Sequence, residues 1–278
     1  MNTLPRAFVI GHPISHSRSP LIHGHWLKIH GLPGSYEKID VAPEELGAFI
    51  ASLKENGFVG GNVTVPHKAR VLEIADAVDE AADAIGAANT LWFDDDDLVA
   101  GNTDALGFLA NLDQEAPGWD AKGGAAVVLG AGGAARAVIH GLIERGFDVA
   151  LANRTFMRAV DLAEEHEEGV WAYAWEELPQ LLRTADLVVN TTSLGMTGQP
   201  PLDIVLDGLR RDALVCDIVY APLETPLLAA ARALGLRGVG GLGMLLHQAV
   251  PGFERWFGVR PEVTPELRAL IEADVRGA

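Results

Sequence analysis

One cysteine, Cys216, is all that the 278-residue chain carries. A single cysteine forms no internal disulfide, so a reducing, cytoplasmic setting is expected. Cys216, within Leu-Val-Cys-Asp-Ile-Val, reads as a buried strand residue packing as a small hydrophobe. Basic side chains are also scarce: 21 Lys and Arg against 38 Asp and Glu leave a formal charge of −17. That balance disfavours nucleic acid and anionic membrane surfaces as partners. No apolar run reaches the roughly 18–20 residues that span a bilayer, and the N-terminal stretch lacks the basic-then-apolar pattern of a secretory signal. No metal site is expected. His12, His16, His23, His25 and His30 crowd one region but show no His-Glu-x-x-His spacing, and they read as loop and surface-helix residues. The densest acidic run, Asp94–Asp97, reads as a solvated hairpin tip, because adjacent carboxylates on a turn diverge.

What is present is an alternation of strand and helix. Strands are expected at Ala7–Gly11, Ser35–Val41 and Val59–Val65, with helices near Leu21–His30, over Pro43–Glu55, and over Lys68–Ala77 and Asp79–Ile85. Thr90–Phe93 and Leu98–Gly101 form an antiparallel pair around the acidic tip. A Pro- and Gly-marked loop near Glu115–Gly124 precedes a second alternating unit. In it, strands at Ala125–Leu129, Asp148–Asn153, Leu187–Asn190 and Leu214–Ile218 are spaced by helices at Ala134–Arg145, Arg158–Glu167 and Leu227–Leu234. Amphipathic helices over Met244–Trp256 and Pro265–Val275 close the chain. The pattern is α/β: the first hundred residues suggest a mostly parallel sheet with one antiparallel excursion, and a second alternating unit follows.

Two segments carry chemistry. In Asn62-Val-Thr-Val-Pro-His-Lys68 an extended β-branched run delivers a flexible ammonium to a fixed point. Asn89-Thr90 and Asn102-Thr-Asp104 add hydrogen-bonding side chains suited to a small polyhydroxylated molecule. The second segment is Gly130-Ala131-Gly132-Gly133-Ala134, which follows an apolar strand and opens a helix, the setting of a dinucleotide fingerprint. Gly130 permits the tight turn, Gly132 lets backbone approach a pyrophosphate, and the helix N-terminus offers free N–H groups to it. The end of the next strand reads Asn153-Arg154-Thr155, with Arg158 a turn further on. An NAD site places an acidic residue there, whereas Arg154, Thr155 and Arg158 suit a 2′-phosphate, so NADP(H) is the expected cofactor.

With both segments on one chain, the sequence resembles the shikimate dehydrogenase family over nearly its whole length. The likeness rests on Gly11-His-Pro-Ile-Ser-His-Ser-Arg-Ser-Pro20, Asn62–Lys68, Ala88-Asn-Thr90 and Gly101-Asn-Thr-Asp104. It continues through Gly130–Ala134, Asn153–Arg158, Asn190-Thr-Thr-Ser-Leu-Gly-Met196, Asp217-Ile-Val-Tyr220 and Gly241-Leu-Gly-Met-Leu-Leu-His-Gln248. It implies a substrate-binding catalytic domain over residues 1–105, an inserted Rossmann-like NADP domain over 106–239, and C-terminal helices over 240–278 that return to the first. It also implies reduction of 3-dehydroshikimate to shikimate, with Lys68 and Asp104 catalytic. Ser15, Ser17 and Tyr220 would serve the substrate carboxylate, and Thr64, Asn89, Asp104 and Gln248 its hydroxyls. Ile218 and Gly241 would join the glycine loop and Asn153–Arg158 on the cofactor. Two positions depart from the family pattern: Gly240 stands where an aspartate is common, and Ala105 where a glycine is usual. A quinate/shikimate dehydrogenase and a non-catalytic metabolite sensor are the competing readings. A homodimer is compatible with the sequence, which does not fix the oligomeric state.

Overall fold

The computed structural model describes residues 4–166 and 168–277, which divide into two compact units: one takes the described residues up to 104 together with 246–271, the other 105–245 together with the described residues from 272 on. In the first unit the elements are β1 (Arg6–Gly11), α1 (Ser19–His30), β2 (Ser35–Asp40), α2 (Leu46–Ala51), β3 (Phe58–Val63), β4 (Ala77–Val78), α3 (Glu80–Ile85), β5 (Thr90–Asp94) and β6 (Asp97–Gly101). Among the described residues its sheet runs β2-β1-β3-β5-β6-β4. β1, β2 and β3 are parallel, whereas β3–β5 and β5–β6 are antiparallel. The acidic tip is solvent-exposed, as expected, and turns on Asp95 at φ 52°. Phe8 and Ile10 of β1 are fully buried and pack with Leu46, Leu53, Val63 and Leu91 in one apolar cluster.

The second unit begins within α4 (Asp104–Glu115) and continues with β7 (Gly124–Leu129), α5 (Gly133–Glu144), β8 (Phe147–Ala152), α6 (Phe156–Glu164), β9 (Val170–Tyr173), α7 (Leu178–Leu181), β10 (Leu187–Asn190), β11 (Leu214–Asp217), α8 (Pro226–Ala233), β12 (Arg237–Gly240) and α9 (Leu242–His247). Its strands run β12-β11-β10-β7-β8-β9, all parallel. Strands buried on both faces read as continuous apolar runs, as Ala-Val-Val-Leu does in β7. The chain leaves β7 toward β8 and β9, then returns to β10 on β7's other side, and that reversal is where doubly wound sheets bind ligands. The last helices are α10 (Ala249–Phe257), in the first unit, and α11 (Pro265–Gly277).

Three expectations change. Lys68–Ala77 is not a helix: a single 3-10 turn at Arg70–Glu73 gives way to β4, because Asp76 exchanges bonds with Leu98 through its own N–H (2.9 Å) and its carboxylate (2.8 Å). Pro43–Glu55 shortens to α2, with Glu45 bonded back to the N–H of Ala42 at 3.2 Å. Met244–Trp256 breaks at Gln248, since Pro251 lacks an N–H and its ring conflicts with a helix continuing from the preceding turn.

Candidate active site

In the first unit, parallel pairing brings the ends of β1 and β3 together. The loop after β1 starts at His12, whose N–H donates to Val65 O (3.0 Å), and Thr64 N–H donates to Ile10 O (2.9 Å). Ser15, Ser17 and Thr64 therefore share one end of the sheet, where Ser15 is exposed and the other two are half-buried. The loop is held from β2: Lys38 Nζ donates to Ser15 O at 2.7 Å, and Asp40 accepts from His12 Nδ1 (2.6 Å) and Ile14 N–H (3.3 Å).

Lys68 follows β3 and forms an ion pair with Asp104 Oδ2, on the first residue of α4. Asp104 is 8% exposed, so water screens this pair less than it would a surface one. Its other oxygen, Oδ1, accepts from Asn89 Nδ2 at 2.8 Å. Asn89 Nδ2 also lies 3.3 Å from Gln248 Oε1, and Thr103 Oγ1 donates to Gln248 O at 2.8 Å. Lys68, Asn89, Asp104 and Gln248, far apart in sequence, meet at one place.

Asn62, to which the sequence reading assigned no role, joins Thr90 and Thr103 of the expected polar clusters in knitting the site together. All three are buried, and Asn62 opposes Thr90 across the antiparallel pair. A polar residue in an apolar strand was the available signal. His23 corrects another expectation. It is no surface residue but 0% exposed, stacked on Tyr36 with ring centroids 4.0 Å apart, and burial pushes its imidazole down to about 3. Among the described residues no group of three or more metal-ligating side chains is clustered.

In the second unit the register aligns strand ends in a row: Ala152, Leu129, Asn190, Asp217 and Gly240 are successive partners. The residues that follow them, Asn153, Gly130, Thr191, Ile218 and Gly241, therefore line one edge of the sheet. Gly130 has φ +106°, and a Cβ there would lie 2.8 Å from Thr192 Cγ2. Gly132 and Gly133 differ: a Cβ on either meets nothing within 4 Å, so protein packing does not require glycine there. The missing side chains leave the start of α5 bare, and no side chain caps it. Ala131 and Ala134 complete the loop. This cradle of uncapped N–H groups fits a pyrophosphate. Arg154, Thr155 and Arg158 are exposed beyond β8, and neither arginine makes an ion pair among the described residues, although most of the chain's other arginines do. Asn153 Nδ2 braces the turn by donating to Thr155 O at 2.8 Å.

Asp217 anchors the neighbouring loop. Fully buried, it accepts from Asn190 Nδ2 (2.9 Å), Val219 N–H (3.0 Å) and Thr225 Oγ1 (2.6 Å), and burial still leaves its carboxyl above the ordinary range. These bonds hold the segment carrying Ile218 and Tyr220. Gly241 lies so close to Ile218 O that no Cβ fits.

A doubly wound sheet with a bare glycine turn, joined to an α/β unit in which a lysine pairs with a buried aspartate, defines a dinucleotide-dependent oxidoreductase. The comparisons narrow the class. Residues 9–91 match the shikimate dehydrogenase substrate-binding domain, 112–196 the shikimate/quinate 5-dehydrogenase domain, and 241–270 the shikimate 5′-dehydrogenase C-terminal domain. A shikimate dehydrogenase (NADP(+)) of Mesorhizobium japonicum is 60% identical over 97% of this chain and 96% of its own. A Thermus thermophilus shikimate 5-dehydrogenase, solved with NADP(H) and shikimate, superposes with a TM-score of 0.86 at 36% identity over 99% of both chains. A Corynebacterium glutamicum quinate dehydrogenase, solved with NAD, gives 0.90 at 32% identity over 98% of this chain and 100% of that one. The chain belongs to the shikimate dehydrogenase family.

Proposed function

We propose that the protein catalyses the reversible NADPH-dependent reduction of 3-dehydroshikimate to shikimate, within aromatic amino-acid biosynthesis in a reducing cytoplasm. The observation that carries this reading is the Lys68–Asp104 pair, bonded in turn by Asn89, in a chain so close to NADP(+)-dependent relatives. When bound, NADPH supplies the hydride. Lys68 donates the proton that the forming alkoxide oxygen needs, and Asp104 holds the ammonium in place and accepts from a ring hydroxyl. Thr64, Asn89 and Gln248 meet the remaining hydroxyls, where amides that both donate and accept suit a polyol. Ser15 and Ser17, with Tyr220, take the substrate carboxylate.

On the cofactor side, Gly130–Ala134 receive the pyrophosphate, and Arg154, Thr155 and Arg158 the 2′-phosphate, with Asn153 shaping their turn. Ile218 and Gly241 complete the contacts. An acidic residue after β8 would repel that phosphate; Arg154 attracts it. The test is an absorbance assay with shikimate or quinate, each with NADP or NAD. Turnover of shikimate with NADP is expected to dominate. Turnover of quinate with NAD alone would overturn the assignment, and binding without turnover would make the chain a sensor.

A further inference from the structure

Tyr36 belongs to no part of the proposed reaction, yet it ends a chain of hydrogen bonds that starts at Asp104. Tyr36 OH donates to Asn62 Oδ1 at 2.6 Å. Asn62 Nδ2 donates to Asn89 O at 3.1 Å and to Thr90 Oγ1 at 3.3 Å. Thr90 Oγ1 donates to Asn89 Oδ1 at 2.9 Å, and Asn89 Nδ2 donates to Asp104 Oδ1 at 2.8 Å. Asp104 Oδ2 then meets Lys68.

The direction of this chain is forced by backbone groups. Thr103 N–H can only donate, and at 2.9 Å from one end of the Asn89 amide it fixes that end as oxygen and turns the nitrogen toward Asp104. The carbonyl of Asn89 can only accept, which fixes the near end of Asn62 as nitrogen and leaves its oxygen facing Tyr36. The phenol must therefore donate, and every link passes a donor toward the carboxylate. Aligned in this way, hydrogen bonds polarise one another, most strongly where water is excluded. Asn62, Asn89 and Thr90 are all at most 5% exposed.

The far end is held rigidly and stays uncharged. Tyr36 stacks on His23 at an interplanar angle of 11°, and Phe253 and Trp256 flank the imidazole at 5.9 and 5.5 Å. Burial keeps the imidazole neutral and raises the phenol well above its ordinary range, so its proton stays on the oxygen that donates.

We propose that Tyr36 is a positioning residue for the reaction: through Asn62, Thr90 and Asn89 its hydroxyl orients the Asp104 carboxylate on Lys68. The inference rests on the reading of Lys68 and Asp104 as the proton-handling pair. Tyr36→Phe keeps the ring stack and removes one hydroxyl. It is expected to lower kcat about 3- to 10-fold, the range of a single hydrogen bond, while leaving the KM for NADPH within about twofold. Thr90→Val cuts the next link and should cost a similar factor. Combined, the two should cost no more than one, because a broken chain cannot be broken again. In an Asp104→Asn background Tyr36→Phe should have no further effect on kcat, whereas a purely structural role would persist there. A wild-type kcat in Tyr36→Phe, or losses that multiply in the double variant, would overturn the proposal. If Tyr36→Phe does not fold, Thr90→Val alone and in the Asp104→Asn background decides by the same criteria. Lys68→Met separates the two layers. A collapsed kcat there with an unaltered Tyr36→Phe enzyme refutes the relay alone; a normal kcat there refutes the underlying reading.

Discussion

At the scale of single residues, the chain's two most informative cations sit in opposite circumstances. Lys68 is paired with a buried carboxylate, while Arg154 is exposed and unpaired among the described residues. In a chain of net charge −17 a cation left without a carboxylate is available to an anion from outside. Arg154→Ala is therefore expected to weaken NADPH far more than NADH, by about 1.5–3 kcal/mol, or roughly 10- to 150-fold. Equal losses in titrations of the two cofactors would remove Arg154 from the phosphate. His23 shows where sequence reading stops. Among five nearby histidines nothing local marks it as buried, because Tyr36, Phe253 and Trp256, which enclose it, come from elements elsewhere in the chain.

At the scale of elements, Asp217 ties the ends of β10 and β11 to α8 through Asn190, Val219 and Thr225. Because its carboxyl stands above the ordinary range, the folded state holds that proton more tightly than the unfolded chain does. The stability linked to this group therefore falls as pH rises from the ordinary carboxylate range through the raised value. Asp217→Asn removes the dependence. The wild-type stability minus the variant's, from denaturant unfolding at several acidic pH values, should decline with rising pH; a flat difference would refute burial as the cause. Glu37 and Glu165 carry the opposite sign. Bonds from Arg6 and Arg136 hold them low, so their contributions disappear as pH falls.

Gly60 supports a second prediction at this scale. It sits in β3 at φ +143°, and a Cβ would collide with Leu91 O and Trp256 Nε1, which bond each other at 2.8 Å and fasten α10 to the sheet. Gly60→Ala should cost about 2 kcal/mol or more by chemical denaturation. A neutral result would mean that α10 shifts freely. The elements readable from sequence were those with strong apolar runs, such as β7, β10 and β11. The edge strands β9 and β12 were missed because they are short and largely uncovered, so they bear no alternating pattern. Helix α4 was not legible because Gly107 and Asn111, both weak helix formers, interrupt its apolar pattern.

At the scale of the whole molecule, alternation of strand and helix sufficed for the α/β class, and the glycine loop for the turn between β7 and α5. Sheet order did not follow from the sequence: the reversal at β7 and the antiparallel β5–β6 hairpin beside β3 are tertiary choices. Nor did the convergence of Lys68, Asn89, Asp104 and Gln248, which local patterning cannot express but the family motifs did imply. Such acidity also isolates the few cations that matter. No helix among the described residues is long and apolar enough to cross a membrane.

The measurement that tests the central claim most directly is steady-state kinetics of Lys68→Met with shikimate and NADP. Loss of a positioned proton donor should cut kcat by about 10²- to 10⁴-fold. The shikimate KM should change far less, because the contacts proposed for Ser15, Ser17, Asn89 and Gln248 are left in place. A variant that kept its kcat while KM rose steeply would show the lysine to be a substrate anchor, and would contradict the account.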